Sequence, residues 1–251
     1  MKLSQEEAHQ VMQVCLLAGK IMLMGGAETY RVEDTMSRIA AACGISGSHS
    51  FVTPTAIIFS LDGAELTKLI RISNRSTDLR KVDQVNSISR KISNRTLTLR
   101  EAYDQLKKIE KEEEAYPLWL QLLAASIASG CFVIIFLGGW ADFLPACIVG
   151  GLGFLSTLYV HHFVKVRFFA EFVASLVIGI TAYGLVQVGI GRELDKIIIG
   201  SVMPLVPGLA ITNALRDLMA GHLFSGVSKG AEAFLTSFAI GAGIAIILTI
   251  F

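Results

Sequence analysis

The residues best placed for chemistry lie late in the chain, where Pro204 and Pro207-Gly208 interrupt an otherwise apolar run and Ser201, Thr212 and Asn213 flank the interruption. Proline removes a backbone donor and clashes with the preceding turn, so a helix through this run must break or kink and release carbonyl and amide groups. In lipid such groups persist only where they line a polar cavity or are buried in protein. A broken helix at mid-membrane points to a substrate site, with the free amides of the second half-helix suited to a carboxylate. The competing reading is a kink that only shapes packing. Arg216-Asp217 follow at the inner end of the run, as a snorkelling pair or a gate. Glu171 opens another apolar run, and His161-His162 stand in the link before it. Either could carry a coupling proton, because His titrates near neutrality and a desolvated Glu titrates upward; interface anchoring is the simpler role.

A second concentration of charge is early, in Gly25-Gly26-Ala27-Glu28-Thr29-Tyr30-Arg31-Val32-Glu33-Asp34. Glu28, Arg31, Asp34 and Arg38 recur at helical spacing with alternating sign, which reads either as a solvated ion-pair face or as an acidic coupling site. Gly226-Val227-Ser228-Lys229-Gly230 has the form of a nucleophile elbow, but that motif needs a preceding strand and a base and acid elsewhere, so it is read as a tight turn between apolar runs. No residue is assigned a catalytic or metal-binding role and no cofactor is expected. The adjacent histidines are poorly spaced for one metal, the four cysteines read as small buried hydrophobes, and no phosphate-binding GxxxxGK[ST] is present.

The elements that must hold these residues fall into two unlike pieces. Residues 1–115 hold 16 Lys/Arg and 15 Asp/Glu, whereas residues 116–251 hold only six of each. Neither piece has a net charge suited to nucleic acid, which is set aside as a partner. The second piece contains five apolar runs near 118–139, 143–160, 169–190, 197–215 and 233–251. About 20 helical residues cover the roughly 30 Å hydrocarbon core, so the expectation is an α-helical polytopic membrane protein of five transmembrane helices, the fourth broken by proline. Lys165, Arg167, Arg216 and Lys229 in the links on one side outnumber Arg192 and Lys196 on the other, which places the N-terminus in the cytoplasm and Phe251 outside a plasma (inner) membrane. Small residues four apart, as in Ser126/Gly130, Ala146/Gly150, Ser237/Gly241 and Ala239/Gly243, suit close helix packing, and an odd span count favours a partner chain or a homo-oligomer.

The first piece reads as a cytoplasmic α+β domain of order ααββαα. Val11, Val14/Cys15, Ala18 and Ile21/Met22 mark one face of a first helix, and Val32, Met36, Ile39 and Cys43 one face of a second, stopped by Gly44. A strand over 51–61, which Pro54 makes an edge or delays in starting, a turn at Asp62-Gly63 and a strand over 66–72 follow. Leu79, Val82, Val85, Ile88 and Ile92 then set a third helix, and Thr98-Leu99-Arg100-Glu101 is a capping box opening a fourth. The acidic run 110–114 is a solvated helix end and linker.

Three stretches, GGAETYRVEDTMSRIA (25–40), VTPTAIIFSL (52–61) and PLVPGLAITNALRDLMAGHLFSGVSKGAEA (204–233), together resemble the threonine/serine exporter family, over essentially the whole chain. The resemblance implies ion-gradient-driven export of a small polar metabolite, an amino acid such as threonine or serine or a succinate-like dicarboxylate. Complete transporters of the family have roughly twice as many spans, so this chain looks like the long subunit of a split system whose partner is a short membrane subunit. The family pattern draws attention to Gly26, Glu28, Arg31 and Glu33, and to Pro207, Gly208, Asn213, Asp217, Gly221 and Gly226. The early motif has been read in the family as hydrolase-like; no nucleophile and base pair up within it here, and a coupling or regulatory role is expected. The rival readings are a membrane-anchored enzyme and a regulatory subunit, each acting through residues 1–115.

Overall fold

A computed structural model of the chain describes residues 5–45, 47–62, 67–112, 116–164 and 168–251. The backbone contacts divide it into two compact units, one of Met1–Glu113 with Ala210–Gly230 and one of Glu114–Leu209 with Ala231–Phe251. The first unit thus takes in a late segment that the sequence reading, with its boundary at residue 115, leaves among the apolar runs.

The first unit is built around α1 (Gln5–Met24), a helix buried on most of its circumference. Beyond the expected face, Met12, Leu16, Leu17 and Leu23 are also buried, because α2 (Thr29–Ala42), α3 (Leu79–Ser93), α4 (Leu99–Lys111) and the sheet all pack on it. The box at Thr98 and Glu101 is formed, each side chain bonding the other's backbone amide. Leu79 turns outward, 52% exposed, so the buried face of α3 begins at Val82. The order is ααβββαα rather than ααββαα. The run 51–61 is split into β1 (Ser48–Thr53) and β2 (Ala56–Leu61), which pair antiparallel with Thr53 opposite Ala56. Pro54-Thr55 makes the two-residue turn, and Thr53 Oγ closes it by hydrogen bonding with both the N–H and the C=O of Ala56. β3 (Thr67–Arg71) completes a sheet of order β1-β2-β3; Gly63 of the expected turn lies outside the described residues.

In the second unit α5 (Leu118–Ile135), α6 (Trp140–Phe163), α7 (Phe169–Gln187) and α8 (Leu194–Val202) pack around Val133, Val149, Ile178 and Ile197. After α8 a 3-10 turn (Met203–Leu205) and Val206-Pro207 lead into α9 (Gly208–Met219), with a 62° bend between the helical stretches on either side of the break. α10 (Leu223–Ile250) is one helix, starting ten residues before the expected run at 233. Gly226–Gly230 is therefore helical and makes no turn, contrary to the reading of that motif. By length and composition α5, α6, α7 and α10 could each cross a membrane, and the bent pair is a fifth candidate.

Close packing in this unit depends on missing side chains. A Cβ at Gly150 would stand 1.9 Å from Ser129 Oγ, and one at Gly130 2.6 Å from Cys147 Sγ, so α5 and α6 meet nearly backbone to backbone. Cys131, by contrast, is exposed, and is not the buried hydrophobe expected of it. Gly150→Val should lower stability by about 1–3 kcal/mol through overpacking, whereas Gly241→Ala, with nothing within 4 Å, should be neutral or stabilising. Thermal melting of the detergent-purified chain, followed by size-exclusion chromatography, separates the two.

Candidate functional site

Two similar helix ends prepare the site. α1 closes where Ala27 N–H bonds Met22 C=O and Gly26 N–H bonds Leu23 C=O, with Gly26 at φ +89°. α9 closes the same way, His222 N–H to Asp217 C=O and Gly221 N–H to Leu218 C=O, with Gly221 at φ +85°. Both are Schellman ends, whose left-handed position favours glycine. Gly226 has a different role: a Cβ there would lie 2.6 Å from Leu218 and 2.9 Å from Ala214 C=O, so it lets α10 approach α9. All of these residues belong to the first unit.

The turn after Gly26 presents Glu28 and Thr29 at the start of α2, whose N-cap Glu28 makes no capping bond of its own. The cap comes instead from Asp217 on α9. Its fully buried carboxylate accepts from Thr29 N–H and from Thr29 Oγ, both at 2.9 Å, and from Lys229 Nζ at 2.7 Å. An anion at a helix N-terminus satisfies an orphan amide and meets the positive end of the helix dipole. Lys229, 8% exposed on α10, supplies the balancing charge and also reaches Thr29 Oγ and Ala27 C=O. Beside this pair, Asn213 Nδ2 donates to Gly26 C=O at 2.8 Å, and Glu28 bridges Arg216 at 2.5 Å and Arg31 at 3.1 Å. Burial works to raise the Glu28 carboxyl, but a backbone amide, Arg216 and Arg31 outweigh it and hold the group below its ordinary 4.5.

The same segment closes the free edge of the sheet. Val52 is opposite Ile57 with its N–H and C=O turned away from β2; Glu33 accepts from the N–H and Ser225 Oγ donates to the C=O, each at 3.0 Å. Burial pushes the Glu33 carboxyl up, with Asp217 adding to it and Val52 N–H and His222, 4.0 Å away, opposing.

Of the residues singled out in the sequence, Gly26, Glu28, Arg31 and Glu33 are thus brought together with Asn213, Arg216 and Asp217. The alternating charged face is divided: Glu28 precedes the helix and is buried, while Asp34 and Arg38 form an exposed pair at 2.6 Å. In the second unit, buried Ser201 donates to Ala146 C=O, and Pro204 stands in the 3-10 turn. Pro207 directly precedes α9, where Gly208 and Thr212 are exposed. His161 and His162 are exposed on the last turn of α6, and Glu171 is in the first turn of α7 with its Oε2 buried and unbonded. Lys165 and Arg167 lie outside the described residues.

Sequence reasoning missed Thr29, His222, Ser225 and the site role of Lys229. The signal for Lys229 was its place 12 residues after Asp217 across the Gly221 turn, which is legible only once 223–230 is known to be helical. Nor did it assign a partner to Asp142, a buried carboxylate in the first turn of α6 that accepts from Arg192 N–H at 2.6 Å and Glu193 N–H at 3.3 Å ahead of α8. Among the described residues no group of three His, Cys, Asp or Glu side chains could hold a metal ion. The chemistry open to the Asp217 cluster is exchange of charge partners, not bond making.

A family model, ThrE, described as "Putative threonine/serine exporter", matches residues 13–251. The chain belongs to the threonine/serine exporter family. It is 25% identical to the "Probable succinate transporter subunit YjjP" of Klebsiella aerogenes, over 99% of this chain and 97% of that protein. The corresponding Escherichia coli protein is also 25% identical, over 98% and 96%. A fungal protein is similar too: "Pheromone-regulated membrane protein 10" of Pichia sorbitophila is 25% identical over 93% of this chain, which spans only 24% of that protein. No solved structure gives a significant match. The description of the family and the names of the two bacterial relatives are those of transport proteins, and this chain is a transporter rather than an enzyme.

Removing either member of the buried pair leaves the other uncompensated, so Asp217→Asn or Lys229→Gln should each cost about 3–5 kcal/mol. The double substitution should cost less than the sum of the two, measured by thermal melting at neutral pH. Because the Glu28 carboxyl is lowered, its contribution is present above pH 4.5 and is lost as pH falls through the depressed value. Glu28→Gln should therefore flatten the acid limb of the pH–stability profile.

Proposed function

We propose that the chain is the long subunit of a two-subunit secondary exporter of small polar metabolites, of the threonine/serine or succinate-like dicarboxylate type, driven by an ion gradient. In this reading residues 1–115 are a cytoplasmic domain, and 116–251 supply five spans, with the bent pair counted as one. The N-terminus is inside, Phe251 is outside, and a short membrane subunit of the same family completes the transporter. The relatives that match over their whole length support this, since both carry the word subunit and the name of a dicarboxylate in their descriptions.

The observation that carries the mechanism is the buried Asp217–Lys229 pair, whose aspartate stands on the helix that begins directly after Pro207. Protonating Asp217 would remove the negative charge that Lys229 and the start of α2 share, and another cation would compete with Lys229 for it. Lys229 stands on the same unbroken helix that continues to Ile250, so a change of partner there acts directly on a candidate span. Buried ionisable pairs of this kind suit coupling because breaking one is costly unless a second ion compensates. The non-helical backbone at Val206-Pro207 remains the proposed substrate-facing element, with Ser201, Thr212 and Asn213 near it in sequence.

The test is efflux of preloaded labelled threonine, serine and succinate from cells lacking their own exporters, with this chain expressed alone or with a short family partner. Efflux of one solute class only when both chains are present is expected, and Pro207→Ala and Asp217→Asn should each abolish it while the protein stays in the membrane. Efflux by this chain alone overturns the two-subunit reading. Undiminished efflux in both variants removes the site assignment.

A further inference from the structure

The first unit has a second polar feature that shares no residue with the Asp217 cluster. A cleft of about 460 Å³ opens between α1, α4 and the edge strand β3, within the size range of small-molecule sites. Helical spacing puts Gln13, Leu16, Leu17 and Lys20 on one stripe of α1, and Tyr103, Lys107 and Glu110 on one stripe of α4. Leu16 and Leu17 are buried and Ile70 half-buried, giving the cleft an apolar floor.

Its charge is unbalanced. Among the described residues, Lys20, Lys68 and Lys107 line it against the single carboxylate of Glu110. Glu110 is already committed, at 2.8 Å to Lys20 and 2.9 Å to Lys107, which ties the two helices together at one end of the cleft. Lys68, on β3, has His9 Nε2 at 3.5 Å, a neutral acceptor when unprotonated and no source of negative charge. Two positive charges are therefore left over in a concave site that also offers the Tyr103 hydroxyl, the Gln13 amide and the Thr67 hydroxyl. Half-exposed ammonium groups of one sign, gathered over an apolar floor, favour an anion with a short hydrocarbon body.

We propose that this cleft is a binding site for a small organic dianion, a dicarboxylate or a phosphate ester, with Lys68 as its principal cationic contact and Lys20 and Lys107 as the second. The site stands independently of the transport reading: it would serve as an effector site on the first unit whether the exported solute is an amino acid or a dicarboxylate.

The test titrates succinate and, separately, inorganic phosphate into the detergent-purified full-length chain by calorimetry, with neutral succinamide as the uncharged control. It also measures acetic-anhydride labelling of Lys68 by mass spectrometry with and without each anion. Saturable binding of one dianion that protects Lys68 is expected. Lys68→Gln should weaken it about tenfold, the scale of one charge-assisted contact, while Lys68→Arg keeps it. Preference for succinate identifies a dicarboxylate site and preference for phosphate a phosphate-ester site, both within the proposal. Absence of binding by the unaltered chain, equal binding of succinamide, an unchanged affinity in Lys68→Gln, or binding without protection of Lys68 each overturns it. Thermal melting of the Gln and Arg variants shows that a loss is not one of folding.

Discussion

A carboxylate cut off from water must find its charge partner and its hydrogen bonds inside the protein, and for Asp217 all of them come from residues near two chain positions far from its own neighbours on α9. Thr29, 188 residues earlier, gives an amide and a hydroxyl, and Lys229, on the next helix, gives an ammonium. The other local features fit this requirement. The left-handed glycines at 26 and 221 turn the chain so that α2 starts, and α9 ends, where these groups meet. Gly226 allows α10 close enough for Lys229 to reach, and α2, lacking a cap of its own, gets one.

The three acidic side chains of the early and late motifs show how environment separates chemically similar groups. Glu28 has two guanidinium partners and stays ionised below its usual range. Glu33 accepts one sheet-edge amide and is raised by burial, although His222 is near. Asp217 has one ammonium and one helix start as its partners. A single change in the proton inventory of this unit would therefore not act on all three alike.

Much of the architecture was legible in residue pattern. Apolar runs identified the long helices, Thr98 and Glu101 announced a capping box, and Pro204 with Pro207 foretold the break, because each of these signals is local. What failed was not local. The 51–61 run looked like one strand because β-branched and aromatic residues stand on both sides of Pro54, which reads only as an edge or a late start, while the antiparallel pairing of Thr53 with Ala56 is a property of two segments at once. α1 looked one-sided because partners from α3, α4 and the sheet, which bury its other faces, lie far away in sequence. Arg216 and Lys229 were counted as loop cations that fix orientation; no spacing rule could pair them with Glu28 and Asp217. The site residues were thus visible one by one, but not their association.

The division of the first unit into two separated segments also sets an order of events during synthesis. At ribosomal rates of roughly 5–20 residues per second, the 188 residues between Thr29 and Asp217 take about 10–40 s to emerge. Within that interval the rest of the amino-terminal segment and then α5 to α8 are made, while the start of α2 has no cap, the Gly26 carbonyl has no Asn213 and the Val52 carbonyl has no Ser225. The nascent amino-terminal segment therefore keeps these polar groups open until the late helical hairpin arrives to close them, so the first unit is completed only after the helices between its two segments have been made.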